Sequence, residues 1–86
     1  MNINAIAVKN LLSPEITERL QQSIEEHAMK QADTFVGLWD KQTGFCVVLE
    51  FWSGKPSRWH FAGPFDDADA REWLGVIRSA ISTALH

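Results

Sequence analysis

The segment from Phe45 to Phe61, FCVVLEFWSGKPSRWHF, constrains the fold of this chain more than any other part of it. Two apolar runs rich in β-branched and aromatic residues flank SGKPS, whose glycine and proline are typical of a turn. This pattern predicts a β-hairpin. A strand with one face in water alternates between apolar and polar residues, but the first run is apolar at nearly every position. The sequence therefore raises the question of what covers the second face of the sheet.

A helix is predicted before this hairpin. Ser13 is a favoured N-cap residue, and Pro14 fits the first helical position because its missing N–H has no partner there in any case. Ile16, Leu20 and Ile24 then recur every four residues, which gives the helix one apolar face. Residues 1–12 are ambiguous between a short strand and a preliminary helix.

A further strand precedes the hairpin and a second helix follows it. Pro64 ends the last strand, and Asp66 or Asp67 is expected to cap the closing helix. Gly75 in the middle of that helix costs about 1 kcal/mol relative to alanine, which suggests close backbone packing or a crowded neighbour. The three strands are predicted near residues 34–40, 45–52 and 58–63.

These elements predict one α+β domain over residues 1–86, with an α-β-β-β-α core over residues 13–85. We expect a three-stranded antiparallel sheet with both helices packed on one face. If Trp52 and Arg58 flank the SGKPS loop, Glu50 lies opposite His60. In either register considered for the first hairpin, odd-numbered residues share the face assigned to the helices. That face comprises Phe35, Trp39, Phe45, Val47, Leu49, Phe51, Trp59 and Phe61.

The even-numbered face is then left without a long element to cover it, and it mixes an apolar strip with a polar group. Such a patch is common at surfaces that bind a partner or a second copy. The alternatives are a sheet face half exposed to water, with Arg58 lying over Trp52 as a cation–π contact, or helices that cover the even face instead. The predicted partner-binding residues are Val36, Leu38, Val48, Glu50, Trp52, Arg58 and His60.

Composition narrows the classes of function. The net charge of −3 provides no long-range attraction to nucleic acid or anionic lipid. Cys46 is the only cysteine, so an internal disulfide and a cysteine-rich zinc site are both excluded. No apolar run approaches the ~20 residues of a membrane span. We expect a cytoplasmic chain without a cofactor, a metal site or a membrane contact.

Few residues suit catalysis. Glu50 and His60 could act as a base and its orienting group near neutral pH, but such a pair is more often a cross-strand salt bridge. Cys46 lies four residues from Glu50 along the strand, too far to share a dyad with His60, and is expected to be a structural thiol. Metal binding would require at least one more converging ligand. The residues do not indicate a substrate.

The order helix, three antiparallel strands, helix resembles the double-stranded RNA-binding domain over about residues 13–85. In that family the second helix begins with lysines that contact phosphates, and the first hairpin loop presents a proline and a histidine. Here the second helix follows GPFDDADARE, with Asp66, Asp67 and Asp69 where cations are needed and only Arg71 of the right sign. The loop DKQTG has neither proline nor histidine. The resemblance therefore implies the fold without the RNA-binding residues.

Three functions remain as hypotheses. The first is a non-enzymatic module that binds another protein or a second copy of itself through the uncovered sheet face. The second is a duplex-RNA-binding domain with an altered surface charge. The third is a small-ligand site or enzyme that uses Glu50 and His60.

Overall fold

The computed structural model describes residues 11–85, which form two helices and one antiparallel sheet of three strands in the order β1-β2-β3. The predicted α+β class and the α-β-β-β-α order are confirmed. The expectations for residues 1–10 lie outside the described range. The elements are α1 (Pro14–Lys30), β1 (Thr34–Trp39), β2 (Cys46–Trp52), β3 (Lys55–Ala62) and α2 (Asp67–Leu85).

Local chemistry sets the ends of α1. Ser13 is extended, and its Oγ accepts the backbone N–H of Ile16, so the predicted N-cap is confirmed. At the other end Gln31 adopts a left-handed conformation and its N–H donates to the carbonyl of His27. Between these caps, Ile16 and Leu20 are buried against the sheet.

The first hairpin corrects the predicted register. Trp39 pairs with Cys46 and Gly37 with Val48, so odd residues of β1 lie opposite even residues of β2. The prediction that odd residues face odd residues was wrong. The reason is the closure of the loop: Asp40 donates its N–H to the carbonyl of Phe45, and a tight turn follows in which Gly44 donates back to Asp40. A one-residue change in register moves every side chain of a strand to the other face.

The second hairpin is tighter than expected. Trp52 pairs with Lys55 across a two-residue turn of Ser53 and Gly54, both at positive φ, as a type I′ turn requires. Lys55 therefore belongs to β3, and the predicted five-residue loop SGKPS was wrong. An irregularity between Glu50 and Phe51 shifts the register below the turn, where Glu50 pairs with Arg58.

The two helices lie on opposite faces of the sheet. On one face α1 packs on Val47 with the partly buried Val36, Leu38 and Trp59. On the other face α2 brings Leu74 against Gly37 and Val48: a Cβ added to Gly37 would lie 3.3 Å from the Leu74 Cδ2. The expectation that both helices pack on one face was therefore wrong. The physical reason is β2, which is apolar and buried on both faces and so requires cover on both.

Helix α2 begins where its cap was predicted. The Asp66 Oδ1 accepts the N–H of Asp69 at 2.8 Å, and Asp67 forms an exposed ion pair with Arg71 one turn later. Ala70 and Ile81 are buried on the inner face of α2. Neither helix in residues 11–85 is long and apolar enough to cross a membrane.

Two glycines predict opposite effects of the same substitution. At Gly54, φ is 81°, and an added Cβ would lie 2.6 Å from the backbone oxygen of His27, so Gly54→Ala should destabilise the fold by roughly 2–3 kcal/mol. At Gly75, no described atom lies within 4 Å of an added Cβ. The close packing suggested for Gly75 was therefore wrong, and Gly75→Ala should stabilise α2 by about 0.5–1 kcal/mol. Urea denaturation of both variants tests the pair, and equal effects would contradict it.

Candidate functional site

The predicted partner-binding residues do not share one surface. Because of the register of the first hairpin, Val36 and Leu38 lie on the α1 side, partly buried against the core. Val48 lies on the α2 side but is only 2% exposed, beneath that helix. The prediction that these three residues form an uncovered apolar strip was wrong, since each is covered by one helix or the other.

The other four predicted residues do lie together, at the turn end of the second hairpin on the α2 side. Glu50 pairs with Arg58, and His60 follows two residues later on the same face. Trp52 ends β2 and is 64% exposed. Its cross-strand partner is Lys55, which sequence reasoning missed by placing it in a loop; the Ser-Gly pair was the available signal for a two-residue turn. The hairpin surface, as we call it, comprises Glu50, Trp52, Lys55, Arg58 and His60.

A polar network organises one part of the hairpin surface. The Glu50 Oε2 lies 2.6 Å from the His60 Nε2 and 4.0 Å from the Arg58 Nε. The prediction that Glu50 lies directly opposite His60 was wrong, because Glu50 pairs with Arg58 and His60 pairs with Val48. The two side chains nevertheless meet diagonally on one face, since the shift in register is by two residues. The Ser57 hydroxyl donates to the Glu50 carbonyl at 3.1 Å. Glu50 is thus contacted at both its side chain and its backbone carbonyl, and the side chains of Glu50 and His60 are 19% and 25% exposed.

The side chains of Arg58 and Trp52 are both exposed. The Arg58 side chain is 74% exposed, and its contact with Glu50 is a long one. The described residues show no cation–π contact between Arg58 and Trp52. The Arg58 guanidinium and the Trp52 ring are therefore exposed without contacting each other.

The thiol of Cys46 is not placed to act together with Glu50 and His60. Cys46 is fully buried, and burial raises the pKa of its thiol to about 11, so the thiolate that would act as nucleophile is not formed near neutral pH. Residues 11–85 contain no group of three or more side chains placed to hold a metal ion. Within residues 11–85, Glu50 and His60 are thus accompanied neither by a reactive thiolate nor by a third metal ligand.

A groove runs along one flank of α2, apart from the hairpin surface. Phe65 and Trp73, with ring centroids 6.2 Å apart, line it together with Val76, and the cavity measures about 310 Å³. Asp69 and Glu72 complete the lining and give it an acidic character. Sequence reasoning missed this groove, although residues 69, 72, 73 and 76 have the spacing of one helical stripe.

Comparison of the chain with protein-family models, curated proteins and solved structures finds no match. The likeness to the double-stranded RNA-binding domain accordingly rests on the order of elements. The placement of α1 and α2 on opposite faces departs from the one-face arrangement expected with that likeness.

Proposed function

We propose that the chain is a non-enzymatic protein-interaction module whose partner binds the hairpin surface. The observation that carries this proposal is the exposure of Trp52. The preceding residues of β2 from Cys46 to Leu49 are at most 2% exposed, whereas Trp52 is 64% exposed. Exposed tryptophan contributes little to stability, but tryptophan and arginine are the residues most enriched among those that dominate binding energy at protein interfaces.

The charges around Trp52 indicate the chemistry of the partner. Lys55 and Arg58 are both exposed, while the carboxylate of Glu50 is engaged by His60. The hairpin surface is therefore locally positive on a chain whose net charge is −3. The complementary partner is a protein segment with an apolar side chain between carboxylates: the apolar group packs on Trp52, and the carboxylates meet the cations.

Duplex RNA has less support as the partner. Asp66 and Asp67 stand at the start of α2 with Asp69, where phosphates would be repelled rather than bound. Asp66 also caps α2, so its carboxylate cannot be replaced by a cation without loss of a hydrogen bond. Binding of duplex RNA is therefore one of the results that would contradict the proposal.

The test is a selection of peptides from a displayed random library on the wild-type chain. We expect enriched peptides that combine aspartate or glutamate with leucine or an aromatic residue. Trp52→Ala should weaken their affinity by at least about tenfold while leaving the denaturation midpoint almost unchanged. Val76→Ala is the matched control, because Val76 is also exposed, at 62%, but lies on α2. Val76→Ala should leave the affinity unaltered.

Three results would contradict the proposal. The first is a selection that enriches no peptide. The second is a set of enriched peptides that bind Trp52→Ala as tightly as wild type, which would place the binding site elsewhere. The third is salt-sensitive binding of a short RNA duplex that exceeds binding of any peptide, which would favour the nucleic-acid hypothesis.

A further inference from the structure

The two edges of the sheet differ in how they are protected. The strand order leaves β1 and β3 as edge strands. Natural edges avoid pairing with other chains by carrying charged residues or proline, and β3 carries Lys55, Pro56 and Arg58. Strand β1 has the sequence TFVGLW, with no charge and no proline. Of the two edges, β1 is therefore the one whose chemistry permits another strand to be added.

The hydrogen-bonding parity of β1 identifies the groups at this edge. In an antiparallel pair, residues alternate between exchanging hydrogen bonds with the neighbouring strand and pointing their N–H and C=O away from it. The backbone N–H of Asp40 donates to the Phe45 carbonyl. The residues of β1 that lie two, four and six positions before Asp40 therefore also exchange hydrogen bonds with β2. The intervening residues, Phe35, Gly37 and Trp39, point their backbone groups outward. No other hydrogen bond of these groups appears among residues 11–85.

We propose that two copies of the chain pair through β1, antiparallel, about a two-fold axis at Gly37. The outward residues are placed symmetrically, with an aromatic residue two positions to either side of the glycine. In this register Gly37 lies opposite Gly37 of the second copy, and Phe35 lies opposite Trp39 of the second copy. Each of these pairs exchanges two hydrogen bonds, so both three-stranded sheets join into one continuous sheet. A contact of this kind closes on itself, as a symmetric dimer requires.

The side chains suit the same register on both faces. On the α2 side, Phe35 and Trp39 are each partly exposed at the edge, and pairing places them across from one another as aromatic cross-strand neighbours. Gly37 between them has no side chain and is exposed. On the α1 side, Val36 and Leu38 are only partly buried in a single copy. In the dimer Val36 lies directly opposite Leu38 of the second copy, as a non-hydrogen-bonded pair, so apolar surface is removed from water on both faces.

This interface is separate from the hairpin surface. Strand β2 lies between β1 and β3. A dimer formed through β1 leaves both hairpin surfaces free, and it presents two of them to one partner assembly. Self-association and peptide binding therefore succeed or fail independently of each other.

Light scattering coupled to size-exclusion chromatography, from micromolar to near-millimolar protein, tests the proposal. We expect the wild-type chain to reach the mass of a dimer. Gly37→Lys places two like charges opposite each other at the axis and should raise the dimer dissociation constant at least about tenfold. Gly37→Ala is the matched control for the added Cβ, which would meet the flexible end of Leu74 at 3.3 Å and the Val48 Cγ2 at 3.4 Å, and it should remain a dimer. Ser57→Lys places the same charge on β3 and should also remain a dimer.

Hydrogen exchange locates the interface without any substitution. The amides of Phe35, Gly37 and Trp39 should become protected as the protein concentration rises, whereas the amide of Ser57 should not change. A wild-type monomer at every concentration would overturn the proposal. So would a dimer in which the three β1 amides stay unprotected, or one that persists in folded Gly37→Lys. If Gly37→Lys does not fold by circular dichroism, the exchange result decides.

Discussion

Replacing Phe51 by alanine is expected to lower the free energy of unfolding by about 3–5 kcal/mol, a large part of the total for a domain of this size. Phe51 is 1% exposed and lies on the α1 side of β2. Its ring stacks on His27, with centroids 4.3 Å apart and an interplanar angle of 11°. The ring of His27 is itself held by a 2.7 Å contact between its Nδ1 and the Ser23 carbonyl. Truncation therefore leaves a cavity that this neighbour is poorly placed to fill.

Urea denaturation followed by circular dichroism measures the effect of Phe51→Ala. The neighbouring Trp52→Ala is the matched control, since it removes another large aromatic residue from the same strand but from an exposed position. We expect Trp52→Ala to change the free energy of unfolding by less than about 1 kcal/mol. Similar losses in both variants would show that Phe51 is not the buried anchor of this face.

Replacing Asp40 by alanine should lower the free energy of unfolding by about 2–4 kcal/mol, because it leaves the buried N–H of Ser13 and the partly buried N–H of Gln42 without an acceptor. Asp40 is 1% exposed and follows β1. Its carboxylate accepts the N–H of Ser13 at the start of α1 and, at 3.0 Å, the N–H of Gln42 within the first hairpin loop. One side chain thus joins a helix start to the loop that sets the register of β1. Asp40→Asn keeps the size of the side chain and one acceptor oxygen, so it should lower the free energy of unfolding by less than Asp40→Ala does. An equal or greater loss in Asp40→Asn would contradict this account.

The same carboxylate predicts how stability depends on pH. Burial alone would raise the pKa of Asp40, but the N–H groups of Ser13 and Gln42 and the hydroxyls of Thr43 and Ser13 outweigh it, so its pKa lies below the usual 3.8. A depressed pKa in the folded state stabilises the fold above the unfolded value of about 3.8, and this contribution is lost as pH falls through the folded value. The difference in unfolding free energy between wild type and Asp40→Asn should therefore be constant near neutral pH and shrink below pH of about 4. A difference that grows toward acid would reverse the assigned direction.

Local signals made much of the fold predictable. Ser13 and Pro14 identified the start of α1, and Asp66 identified the cap of α2, because capping requires only a side chain and its own backbone neighbours. That Glu50 and His60 lie on the same face was also predictable, because the register of the second hairpin away from its turn places even residues opposite even residues. The prediction was wrong where one residue of register changed the result: Val36 and Leu38 were assigned to the face opposite the one they occupy.

The sequence by itself determined the class and order of the elements, their capped ends, and the need of β2 for cover on both faces. These properties depend on residues close together in the chain, or on the hydrophobicity of a single strand. Only the tertiary structure decided that α2 provides the second cover, that Trp52 lies outside the area α2 covers, and that β1 is an edge strand of the sheet within residues 11–85. Each depends on register and on which helix reaches which face, and a strand that is apolar on both sides does not specify either.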